Sequence, residues 1–86
     1  MELIKYNINF NNYVSNQNIK IKFNSISFWN NGDTIATINN VPIPIHGTLA
    51  ISGNAGEYCE QEFYISFANP TDPLNKILVT IKEYAQ

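Results

Sequence analysis

Apolar and polar residues alternate with a period of two along most of this chain, and no stretch sustains the 3.6-residue period of a helix. Ile4, Tyr6, Ile8 and Phe10 alternate with Lys5, Asn7 and Asn9, which predicts a half-buried first strand over Glu2 to Phe10. Asn11 to Asn18 is polar and turn-rich and reads as a loop, with Tyr13 and Val14 packed down from it. Ile19, Ile21 and Phe23 then alternate with Lys20 and Lys22, a second strand with its lysines toward water. At Asn24-Ser25 the parity slips by one residue, and Ile26 and Phe28 take over. A one-residue slip turns every later side chain to the other face, so the break predicts a β-bulge or a strand bending between two sheets.

The stretch from Phe23 to Ile45 organises the rest. Two apolar runs flank Asn30-Asn31-Gly32-Asp33, and Asn-Gly is a strong hairpin signal because both residues tolerate the positive φ of a type I′ turn. A second break follows at Asn39-Asn40, before Val41-Pro42-Ile43-Pro44-Ile45. The reading is three short antiparallel strands. Two prolines cannot donate ladder hydrogen bonds, so the last is an edge strand or an extended linker. His46-Gly47 then turns into Thr48 to Ser52, with Leu49 and Ile51 inward. Gly53-Asn54-Ala55-Gly56 is a loop.

Glu57 to Phe67 places Cys59, Phe63, Ile65 and Phe67 on one face and Glu60, Glu62, Tyr64 and Ser66 on the other. Gln61 is the odd member of the apolar row. Asn69 to Pro73 is a loop, and Lys76 to Tyr84 is a last strand, apolar on both faces at first, as suits a central position. Short strands punctuated at this spacing predict an all-β fold: a small antiparallel β-sandwich or jelly-roll-like barrel of about 7–8 strands.

Length and composition narrow the class further. Eighty-six residues form one domain, 1–86, and a chain of this size buries roughly 60 % of its unfolded surface. Hydrophobic residues make up 44 % and charged residues only 14 %, so Asn, Ser, Thr and Gln must cover much of the surface. The net charge is −2, all five cations are lysine, and no arginine is present to make bidentate contacts with bases or phosphates. That balance argues against nucleic acid as a partner. A single cysteine excludes an internal disulfide. Neither a signal peptide nor an apolar run of membrane-spanning length is apparent, which predicts synthesis and folding in a cytoplasm.

Candidate chemistry is sparse. His46 is the one histidine, so a multi-histidine metal site cannot form; its place at a strand end before Gly47 fits an exposed or backbone-bonded turn residue. Cys59 and His46 could pair as nucleophile and base, but the cysteine's apolar row predicts a buried, inert thiol. Glu57, Glu60 and Glu62 cluster near one strand start, and a solvated acidic face accounts for them. The loop at Gly53 to Gly56 lacks phosphate-loop spacing, and Asn69-Pro70-Thr71 is no glycan acceptor because of its proline. These residues predict no catalytic group, cofactor or metal. Trp29, Tyr13, Tyr58, Tyr64 and Tyr84 remain, either as core or subunit-contact residues or as stacking surfaces for sugar rings.

From Trp29 onward the order of elements is an Asn-x-Gly turn, TIATINNVPIPIHG, LAISGNAGE, FYISF and ILVTIKEY. Thr37, Ile38, Asn39, Pro42, Gly47, Gly53, Gly56, Phe67 and Ile77 to Tyr84 carry a pattern that resembles small β-sandwich virion accessory proteins of tailed bacteriophages and gene-transfer-agent particles. The resemblance covers roughly two thirds of the chain. It implies a homo-oligomeric structural subunit, head-spike base or decoration-like, located in the virion and docked to other virion proteins. It brings no catalytic residues. The N-terminal strand, within residues 1–10, is then a candidate for subunit contacts. The alternative expectation is a β-sandwich module binding a carbohydrate, such as a host-surface glycan, or another surface ligand through Trp29 and the tyrosines.

Overall fold

A computed structural model describes residues 5–54 and 56–84. It contains eight strands: β1 (Tyr6–Tyr13), β2 (Gln17–Phe23), β3 (Ser25–Asn30), β4 (Ala36–Ile38), β5 (Val41–Ile43), β6 (Thr48–Ile51), β7 (Cys59–Phe67) and β8 (Ile77–Tyr84). They form two four-stranded antiparallel sheets, β1-β8-β3-β6 and β2-β7-β4-β5, packed as a sandwich. The all-β sandwich expected from the alternation is the fold observed.

The core is the set of inward rows. Ile26, Phe28, Ile77, Val79 and Ile81 from the first sheet meet Ile19, Phe23, Ala36, Ile38, Ile43, Phe63, Ile65 and Phe67 from the second. Phe28 packs edge-on against Phe63 across the two sheets, with ring centroids 5.0 Å apart. Each of these side chains larger than alanine stabilises the fold by about 1.5–3 kcal/mol relative to an exposed one. β8 is central, between β1 and β3, and β5 is an edge strand, both as the residue pattern predicts.

The parity slip at Asn24 is a change of sheet. β2 ends at Phe23 in one sheet and β3 begins at Ser25 in the other, with both phenylalanines, Phe23 and Phe28, still buried. Asn24 sits in the corner, buried, and its side chain donates to the carbonyls of Asn54 (2.8 Å) and Glu57 (2.9 Å). In the same way every connection except β4–β5 carries the chain from one sheet to the other.

That topology corrects the expected hairpin at Asn30 to Asp33. β3 and β4 lie in different sheets, and neither Asn31 nor Gly32 has a positive φ. Gly32 is needed there for closeness instead: a Cβ would stand 2.6 Å from the Lys76 backbone nitrogen. The type I′ geometry occurs one break later. Asn39 and Asn40 have φ of 47° and 68°, and they join β4 to β5 with Ile38 directly opposite Val41.

The first strand also differs from expectation. β1 runs on to Tyr13, through residues expected to be loop, while Glu2 to Ile4 lie outside the described residues. Its apolar row faces away from the core. Tyr13, Asn11 and Asn9 stand opposite the inward Ile77, Val79 and Ile81, so Ile8 and Phe10 share the outer face with Lys82 and Thr80. Asn7, Asn9 and Asn11 are exposed as well, because the second sheet does not reach over β1.

Candidate functional site

The two outer faces of the sandwich differ in chemistry. On the second sheet, Lys20 and Lys22 of β2 face Glu62 and Glu60 of β7 in register. The Lys20 ammonium lies 3.0 Å from the Glu60 carboxylate, and Lys22 lies 3.5 Å from it. The hydrogen bond between Lys20 and Glu60, and then their opposite charges, raise the lysine pKa and lower the glutamate pKa. Tyr64 and Ser66 complete this face. It is a solvated surface, as the sequence pattern predicts, and the structure adds the pairing of Glu60 with both lysines.

On the first sheet the outer rows hold Ile8 and Phe10 of β1, Leu78, Thr80 and Lys82 of β8, Ser27 and Trp29 of β3, and Thr48 and Ala50 of β6. Lys82 is the one charged side chain in these strand rows among the described residues, and its ammonium lies 4.2 Å from the centroid of the Tyr6 ring. Ile8 is 51 % exposed and Phe10 64 %. Among the described residues no strand pairs with the outer edge of β1. A sheet face with one charged strand residue, exposed large apolar side chains and an open edge is the chemistry of an interaction surface.

The aromatic candidates are not gathered into one platform. Trp29 lies on the outer face of the first sheet, opposite Leu78 and Thr48, and Tyr64 lies on the outer face of the second. Tyr13 packs against the core. Tyr58 is exposed just before β7 and lines a shallow depression of about 210 Å³ with Phe23, Ile51, Gly53 and Cys59. Tyr84 closes β8 opposite Tyr6, and its side chain is outside the described set.

The candidate catalytic groups are dispersed. His46 adopts φ 66° in an exposed turn, and its backbone N–H donates to the Asn30 carbonyl (2.8 Å) at the end of β3. Cys59 is exposed, which corrects the expected buried thiol. It shares parity with Phe63, but it is the first residue of β7 and borders the depression beside Tyr58 and Ile51. Cys59 pairs with Phe23, ahead of β3, so His46 and Cys59 sit at opposite ends of that strand and do not meet. Among the carboxylates, Glu60 is taken by the lysines and Glu57 accepts from the Asn54 amide (2.5 Å). No group of three metal-ligating side chains converges among the described residues. A larger open depression of about 490 Å³, lined by Val14, Asn31, Asp33, Leu74 and Lys76, gathers one acid and one base without a shared contact between them.

Ile8 and Phe10 are the surface residues that sequence reasoning missed. Alternation alone is symmetric: it separates Tyr6, Ile8 and Phe10 from Asn7, Asn9 and Asn11 but does not say which row faces inward. No protein-family model, curated protein or solved structure matches this chain.

Proposed function

We propose that the protein is a non-enzymatic structural subunit of a bacteriophage-like particle, a capsid, head or tail accessory protein acting through self-association and docking. The observation that carries the self-association is the outer face of the first sheet, where Ile8 and Phe10 stand exposed beside an open strand edge on a surface with one charged strand residue. The scattering of His46, Cys59 and the glutamates supports a role without turnover. The particle itself comes from the residue pattern between Thr37 and Tyr84 that resembles virion accessory proteins. With Trp29 and Tyr64 on opposite faces, the pair forms no common sugar platform.

Light scattering behind a sizing column, run over a range of concentrations, tests the self-association. An oligomer that persists on dilution is expected, and a strict monomer at every concentration overturns it. Mass spectrometry of density-purified particles from the source cells tests the location. A fixed copy number per particle is expected, and absence from particles removes the virion role.

A further inference from the structure

The four sheet edges are not equally protected. Edges of β-sheets recruit other chains unless charge, proline, shortness or a bulge prevents it. β2 carries Lys20 and Lys22, β5 is three residues long with Pro42 at its centre, and β6 has four residues. β1 has eight residues, pairs with β8 without a break in register, and contains neither charge nor proline from Tyr6 to Tyr13. It is the one unguarded edge among the described strands. We infer that β1 pairs edge to edge with β1 of a second copy, antiparallel and about a two-fold axis at Asn9, so that two β1-β8-β3-β6 sheets join into one. This inference rests on the self-association proposed above and names its surface.

Backbone directions agree with that pairing. The Asn31 N–H donates to the Lys76 carbonyl (3.0 Å) in the register of the β3–β8 ladder. Even-numbered residues of β8 therefore turn their backbone groups to β3, and odd-numbered ones turn them to β1. Asn7, Asn9 and Asn11 stand opposite odd-numbered residues and bond to β8, which leaves the N–H and C=O of Ile8, Phe10 and Asn12 directed at the open edge. Two antiparallel copies centred on Asn9 set Ile8 against Phe10 of the second copy in hydrogen-bonded pairs. On the opposite face they set Asn7 against Asn11 and Asn9 against itself.

A second copy suits this edge because the strand is self-compatible. Its uncharged rows place apolar on apolar and amide on amide, with no like charges opposed. A two-fold contact also closes on itself and does not propagate into a fibre. Aliphatic–aromatic cross-strand pairs then cover Ile8 and Phe10, the residues that the intramolecular fold leaves exposed.

Cross-linking in a Cys59→Ser background tests the register. Residue 9 faces its own copy in a non-hydrogen-bonded pair, where Cα atoms are about 4.5 Å apart and within disulfide range. Asn9→Cys should form a covalent dimer under mild oxidation, whereas Asn11→Cys in the same background should not. Phe10→Lys should halve the mass of the oligomer with an unchanged circular dichroism spectrum, and Ile8→Lys does the same should the first variant fail to fold. An oligomer that survives both lysine variants, with Asn9→Cys uncross-linked, overturns the β1 interface and leaves self-association standing. A wild-type protein that is monomeric at all concentrations overturns both.

Discussion

Asparagine serves two purposes here, and only one is at the surface. Asn24, Asn30 and Asn75 are buried, and each ties a place where the chain changes sheets. Asn30 donates to the carbonyls of Thr34 (2.9 Å) and Ile43 (3.0 Å) and accepts from the Gly32 amide (3.1 Å). Asn75 accepts from the Thr34 hydroxyl (2.6 Å) and donates to the Asn69 carbonyl (2.6 Å). Removing such a side chain strands buried backbone groups, so Asn30→Ala should destabilise by about 2–3 kcal/mol in urea unfolding. The exposed Lys20–Glu60 pair is the opposite case, well formed but screened by water. Glu60 titrates low, so its contribution is present above the ordinary value of 4.5 and lost as pH falls through the folded value. Lys20 titrates high, so its contribution is present below 10.5 and lost as pH rises through the folded value. Lys20→Ala should raise the midpoint of Glu60 in a carboxyl NMR titration.

At the scale of elements, two turns exchange roles. Asn31-Gly32 has the stronger hairpin dipeptide, yet it crosses between sheets, and Asn39-Asn40 makes the tight hairpin. The physical reason is packing. Gly32 is pressed against the backbone of Leu74 to Lys76, and Ala36 and Ile38 are fully buried where β4 pairs with β7. Two substitutions separate these roles. Gly32→Ala should destabilise by about 1–3 kcal/mol through overpacking, although its φ would accept alanine. Asn40→Gly should be neutral or stabilise by about 0.5 kcal/mol, because glycine holds positive φ without strain. Thermal melts of the two variants check the contrast. Asn39 is a poor choice for this test, since its side chain also bonds the Tyr64 amide (2.7 Å).

For the whole molecule, the decisive feature is that the first strand pairs with the last and that a single connection is a local hairpin. Most ladder contacts therefore join residues far apart in the chain, and their loop-closure entropy must be met before they form. Refolding from urea should accordingly take milliseconds to seconds, slower than a helical bundle of this length, as stopped-flow tryptophan fluorescence would show. Trp29, on β3 beside β8, reports the closure of that sheet. The same topology leaves β1 outside the sandwich's cover, and the proposed self-association follows from that placement.

Alternation determined most of the strands, the inward rows of β2, β3 and β7, and the break at Asn24, and the two prolines marked Val41 to Ile43 as an edge. These depend on side-chain period and on backbone chemistry within a few residues, which local sequence encodes. Tertiary structure alone decided which strands are neighbours, which turn is the hairpin, why Cys59 is exposed, and that Ile8 and Phe10 face outward. A two-row strand becomes inside and outside only when a second sheet covers one row, and here the second sheet stops short of β1.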